Sequence, residues 1–153
     1  FIDFKKLCIK EGEKVWNLYV DIYAINDDGN LLDVAGIGAL AALKWAKMPG
    51  YDKETGKPDY NIQEDALPLS EEIPISMTFH KIGNSIIVDP TREEEDFSET
   101  RVTIGSKKGI VSSMQKGESE MISVEDFGKV LDKVEKLWKD LNKTIEKQIE
   151  KNK

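Results

Sequence analysis

One stretch governs what this chain can fold into. From Val124 to Ile149 apolar side chains recur at helical spacing, through Phe127, Leu131, Val134, Leu137, Trp138, Leu141 and Ile145. The stripe predicts a long amphipathic helix with one face in a core. Ser123 and Asp126 give it a capping-box-like start, because a Ser hydroxyl at that place can accept a first-turn amide. Such a helix cannot bury its stripe alone; it needs a sheet or further helices, and the rest of the sequence offers both.

Four short runs of strand composition precede it: Ile75 to Ile82, Ser85 to Val88, Thr100 to Ile104 and Gly109 to Gln115. They are separated by Gly83-Asn84, an acidic loop and Lys107-Lys108, which predicts an antiparallel meander. The clearest strand pattern lies upstream, where Trp16, Leu18, Val20, Ile22 and Ala24 alternate with Asn17, Tyr19, Asp21 and Tyr23. It ends in Asn26-Asp27-Asp28-Gly29-Asn30, residues that tolerate the left-handed conformations of a tight reversal. From Leu31 to about Met48 the period becomes helical, and Ala35, Gly36, Gly38, Ala39, Ala41 and Ala42 make this a helix of small side chains. Each glycine costs about 1 kcal/mol relative to Ala, so a close approach is expected to compensate. Residues 3 to 11 read as the end of a helix, with Cys8 a small buried hydrophobe. A connection over residues 49 to 73 is rich in Pro, Gly and Asp, with a short extended piece around Tyr60 to Ile62. The order helix, strand, helix, connection, strands, helix defines an α+β fold, a mixed or antiparallel sheet with helices packed on one face. The strand from Val15 to Ile25 has no visible neighbours, which predicts that part of the fold precedes Phe1.

Composition narrows the chemistry. A chain of 153 residues with a single Cys and a single His has neither a disulfide framework nor the usual Cys/His zinc cage, and no metal or cofactor is expected. The first twenty residues carry both acids and lysines, and no apolar run is long enough for a signal peptide or membrane span, so a cytoplasmic protein is expected. Only Arg92 and Arg101 among 22 basic residues are arginines, and the net charge is -7. Bidentate phosphate recognition has few tools here, and a pI near 4.9 is not that of a free-standing nucleic-acid binder. Gly36-Ile37-Gly38 sits inside a helix rather than in the turn opening one, so it is no dinucleotide fingerprint.

Several runs carry a resemblance. Lys6-Leu7-Cys8-Ile9 to Glu11-Gly12, Val15-Trp16, Val20-Asp21-Ile22-Tyr23, Asp28-Gly29-Asn30-Leu31 and the Ala-rich helix resemble the ribonuclease PH family, and within it the non-catalytic ring subunits of archaeal exosomes. Pro74 to Phe79, Val88-Asp89-Pro90-Thr91 and Glu93-Glu94-Glu95 are similar to the second sub-domain of those subunits. The resemblance implies three segments: residues 1–50 as the C-terminal remnant of a first ribonuclease PH-like sub-domain, 51–72 as a connecting loop, and 73–153 as a second sub-domain.

Active members of that family degrade RNA from its 3′ end with inorganic phosphate as nucleophile. They hold the phosphate with a Gly-Thr-Arg that follows the Asp-Gly turn, where amide, hydroxyl and guanidinium converge on a dianion. Here Asn30, Leu31 and Leu32 stand at those positions. Active members also carry one Asp just after a strand and another six residues on, a pair able to act as acid or to position a divalent ion. Asp89 matches the first, Glu95 replaces the second, and Arg101 stands where an acid is usual. The resemblance thus implies a degenerate site at Asn30, Leu31, Leu32, Asp89 and Glu95, in a non-catalytic structural subunit of an RNA-degrading ring. Its partners would be a homologous catalytic subunit and RNA passing through the ring. The alternative is a phosphorolytic 3′-to-5′ exoribonuclease in its own right, using Asp89 and Glu95. Lys107 and Lys108 are the RNA-binding candidates of this half, and His80, on the polar side of its strand, reads as structural or interface-lining.

Overall fold

The computed structural model describes residues 1–63 and 65–152. In place of a helix end the chain opens with a 3-10 turn, Phe4–Leu7, and two short strands, β1 (Cys8–Lys10) and β2 (Lys14–Val15). Asp3 caps the turn by accepting the Lys5 amide at 3.2 Å. Gly12, at φ +73°, makes the left-handed reversal through which Cys8 pairs with Val15, a pairing that a continuous helix would forfeit. Cys8 is exposed rather than buried, because Leu7 alone in the turn points inward.

The alternating run that follows is a strand only in its sequence. Pairing ends at Trp16, whose amide donates to the Leu7 carbonyl at 2.8 Å. Among the described residues no strand lies alongside Asn17 to Ile25, and Tyr19, Ile22, Tyr23 and Ile25 are exposed. A period of two decides which faces a strand would present; the strand itself requires a neighbour to take its backbone hydrogen bonds.

Helix α1 spans Leu31–Trp45. A Cβ added at Gly36 would meet the Ser76 Oγ at 3.8 Å, an ordinary contact, and one at Gly38 would meet open space. Among the described residues neither glycine is therefore demanded by a close approach. Next come β3 (Lys47–Met48), β4 (Gly50–Asp52), β5 (Lys57–Asp59) and β6 (Asp65–Ala66), which form two small ladders, β3 with β6 and β4 with β5. Tyr60 and Asn61 make a turn instead of an extended piece, since the Asp59 carboxylate accepts the Asn61 amide at 2.9 Å.

The main sheet contains β7 (Ile75–Ile82), β8 (Ser85–Val88), β9 (Thr100–Lys107) and β10 (Ile110–Gly117), all antiparallel, in the order β10-β9-β7-β8. This is not the expected meander. The chain leaves β8 through a short helix, α2 (Arg92–Asp96), and returns on the other side of β7, so β7 lies between β8 and β9. The acidic run expected as a loop is that helix, held by a capping box: Thr91 accepts the Glu94 amide at 3.3 Å and Glu94 accepts the Thr91 amide at 2.8 Å.

Register sorts the two faces of the sheet. Ile75, Met77 and Phe79 lie beside Ile104 and Val102 on one face; Ser76, Thr78 and His80 lie beside Thr103 and Arg101 on the other. The closing helix α3 (Val124–Lys151) covers the apolar face, and its Val130, Val134, Ile145 and Ile149 join Ile75, Met77, Phe79, Val102 and Ile104 in one core. Val130, outside the predicted stripe, is fully buried, whereas Val124 and Leu131 within it are 90% and 37% exposed. Val124 sits ahead of Phe127, the first residue of the helix packed against the core.

Helix α1 packs along an edge. Strand β8 pairs with β7 only from Phe79 onward, and before that point α1 takes its place. The Asp33 carboxylate accepts the Thr78 amide at 2.8 Å and the Thr78 hydroxyl at 2.9 Å. Among the described residues no helix is long and apolar enough to cross a membrane.

Candidate functional site

The polar face of the sheet is the floor of a cavity of about 670 Å3. Thr78, His80 and Arg101 form the floor, Asp27 to Leu32 one wall, and Asp89 to Arg92 with Glu95 the other. Asn30, Leu31, Leu32, Asp89 and Glu95, remote in sequence, are thus brought around one space.

The first wall owes its shape to the Asp-Gly turn. Asp27 accepts the Gly29 amide at 2.8 Å, and Gly29 and Asn30 follow one another in the left-handed region at φ +83° and +49°. The Asn30 side chain does not cap α1. Leu31 and Leu32 begin the helix 42% and 47% exposed, offering apolar surface where a phosphate site would need donors. The second wall starts with Asp89 at φ +55°, which turns the chain out of β8. Arg92 on α2 is engaged by Asp96 at 3.3 Å and by Glu95 at 3.9 Å.

The floor is set by β7 and β9. The Thr78 hydroxyl bonds Asp33 and also lies 3.0 Å from that of Thr103. The Arg101 guanidinium lies over Gly117, its cross-strand partner, where an added Cβ would come within 3.0 Å of it; the glycine leaves the room the arginine occupies. His80 is 5% exposed, and its Nδ1 lies 3.1 Å from the Ser98 Oγ. The Ser98 hydroxyl also reaches the Thr100 carbonyl, at 3.2 Å. Burial pushes the His80 pKa below its usual value, and the charge of Arg101 acts the same way, against Glu95, Glu118 and Asp33, which raise it.

The RNA-binding candidates are placed elsewhere. Lys107 and Lys108 occupy the β9–β10 turn, do not line the cavity, and both pair with Glu72, Lys107 at 2.9 Å. Hydrogen bonds from Lys108 and Lys107 hold the Glu72 pKa below the usual carboxylate value. From sequence, Thr78 and His80 share the polar face of one strand, but neither they nor Arg92 were assigned to the site. The alternation that puts Thr78 and His80 on one polar face was the available signal. Among the described residues no group of three or more His, Cys, Asp or Glu is placed to hold a metal ion.

A four-stranded antiparallel sheet whose polar face floors such a cavity defines a class. The family models "3' exoribonuclease family, domain 1" and "3' exoribonuclease family, domain 2" match residues 3–49 and 72–133. Together they account for more than half of the chain, which belongs to this 3′ exoribonuclease family, the phosphorolytic ribonuclease PH family. Its relatives include the exosome complex component Rrp42 of Pyrococcus furiosus, 37% identical over 153 residues, covering 98% of this chain and 55% of that protein. The protein of the same name from Methanothermobacter thermautotrophicus is 38% identical over 150 residues, with coverages of 94% and 55%. Among solved structures, the Archaeoglobus fulgidus exosome with RNA bound to the active site contains a chain that superposes with a TM-score of 0.79 at 38% identity, over 94% of this chain and 54% of that one. A chain of an archaeal exosome core does so with a TM-score of 0.80 at 37% identity, over 95% and 56%. The chain spans about half the length of the curated relatives it matches.

Proposed function

We propose that the chain is a non-catalytic structural subunit of an archaeal exosome-type RNA-degrading ring, acting in the cytoplasm. It completes the RNA path and supports the active site of a homologous catalytic subunit. One observation carries this reading: Leu31 and Leu32 stand at the cavity wall where active relatives hold phosphate with Thr and Arg. The two leucine side chains supply neither the hydroxyl nor the guanidinium, and their apolar surface would oppose the solvation of a dianion. Residues 1–50 act as part of the first sub-domain, 51–72 as a connection and 73–153 as the second; the two family matches, which stop at 49 and resume at 72, support that division.

A second reading, a phosphorolytic exoribonuclease in its own right, draws on one feature, that Asp89 and Glu95 line the same cavity. Acids alone do not bind the nucleophile, so the first reading stands ahead of it. The test is incubation of the purified protein with RNA and inorganic phosphate. No nucleoside diphosphate is expected from the protein alone, and activity is expected once an active homologue is assembled with it. Phosphate-dependent release of nucleoside diphosphates by this protein by itself would overturn the reading.

A further inference from the structure

We infer that the open edge of the main sheet is a contact with a second copy of this chain, the β10 strands of the two copies pairing antiparallel about a two-fold axis. No residue of β10 lines the cavity, so the inference goes beyond the non-catalytic reading and does not depend on it.

Strand β10 ends the sheet order, with β9 on one side and, among the described residues, no strand on the other. Alternate residues of an edge strand bond its neighbour, and the backbone groups between them point outward, free to take another strand. The edge is long and nearly uncharged. Ile110 to Lys116 are all exposed, and Lys116 is the only charged side chain in β10. Its ammonium does not guard the edge, because it turns back to the carbonyls of Gly117 and Glu118 at 3.1 and 2.8 Å. A bulge between Val111 and Ser113 interrupts the ladder near the turn, and from Ser113 to Gly117 the pairing with β9 is regular. Met114 lies beside Ile104 in that register, on the face α3 covers, yet it is 59% exposed. The apolar face therefore continues past α3 to the edge, where a strand laid beside β10 would cover it.

Charge selects a second copy as that strand. β10 runs from a basic end, the Lys107-Lys108 turn, to an acidic one, Glu118 and Glu120, both exposed. Lys107 and Lys108 share one partner, Glu72, so a positive charge is left over at the turn. Two β10 strands related by a two-fold axis at Ser113 or Met114 run antiparallel, and each sets its basic end beside the acidic end of the other. Parallel pairing would set like charges together.

The test is sedimentation equilibrium of the purified protein over about 1 to 500 μM, where the mass is expected to climb from that of one chain towards that of two. Met114→Lys places two ammonium groups near the axis and should weaken the dimer by about tenfold or more. Glu118→Lys combined with Glu120→Lys should weaken it about tenfold, since each change counts twice in a symmetric contact, and added salt should weaken the parent dimer. Ile22→Lys, in the exposed run from Asn17 to Ile25, should leave it unchanged. Circular dichroism checks that Met114→Lys folds; should it not, the Glu118 and Glu120 pair, outside the ladder, decides. A parent that stays monomeric throughout the range overturns the inference. So does a dimer that survives the changes at both Met114 and the acidic end, or one that Ile22→Lys alone dissolves.

Discussion

Asp33 is the residue on which the wall of the cavity hangs, and its removal has a calculable cost. It accepts two hydrogen bonds from Thr78, amide at 2.8 Å and hydroxyl at 2.9 Å, at the part of β7 that β8 does not reach. In Asp33→Ala the hydroxyl keeps Thr103 at 3.0 Å, but the amide has nowhere to turn. An orphaned buried donor costs about 1–3 kcal/mol and a lost hydrogen bond to a charged group about another 1 kcal/mol, so a loss of about 2–4 kcal/mol is expected. Asp33→Asn keeps an acceptor for the amide, and its NH2 can donate to the hydroxyl, which turns its own proton to Thr103; about 1 kcal/mol is expected. For a chain of this size each kcal/mol lowers Tm by about 2–4 °C. Urea and thermal unfolding followed by circular dichroism would measure the series, and a cycle with Thr78→Val would isolate the coupling. An Asp33→Ala variant within about 0.5 kcal/mol of the parent, or an Asn variant as damaged as the Ala one, would refute the reasoning.

Three further outcomes are expected. Since burial holds the His80 pKa below 6.5, the unfolded chain takes up the proton first as pH falls, so stability is full above 6.5 and declines from there towards the lowered folded value. His80→Gln should flatten that slope in urea midpoints taken from pH 8 to 5, whereas Glu72, Glu99 and Asp126, whose values are lowered, lose their contribution only under more acid conditions. Ile145→Ala, at a buried core position, should cost about 2–5 kcal/mol, and Leu131→Ala, on the same helix but exposed, about 0.5 kcal/mol or less; equal losses would contradict the placement of α3. Glu72→Gln frees Lys107 and Lys108 from their common partner and should raise RNA retention in filter binding, with a steeper fall as salt is added.

How much of this was legible beforehand depended on whether an element carries its own partner. Helices α1 and α3 were readable because helical hydrogen bonds close within the element and the apolar period reports the buried face. The run from Trp16 to Ala24 has a stronger strand pattern than β8, yet β8 is a strand and the run is not: β8 has Phe79 to Ile82 beside it, and among the described residues the run has no strand beside it. Sheet order was illegible for a related reason. Alternation says which face a residue takes and nothing about which edge of β7 receives β9. The helix α2 that carries the chain to the other edge was hidden in an acidic run, although the Thr91-x-x-Glu94 spacing was its signal.

The cavity follows from that misjudged topology. In a meander β9 would follow β8, and Arg101 could not lie across from His80; with β7 central, the register pairs His80 with Arg101 and Thr78 with Thr103 on one polar face. The same crossover carries Asp89 and Glu95 over that face, and the gap left where β8 stops short admits Asp33 and so fixes the start of α1 opposite them. The sheet order that periodicity could not supply is thus the reason the two degenerate motifs meet. A change that weakens the hold of α1 on β7 should open the wall formed by Asp27 to Leu32 while leaving the helix-covered core intact. In Asp33→Ala, amide exchange should accordingly rise at Val34 and at Thr78 before it rises at Val102 or Ile104, in the neighbouring strand β9.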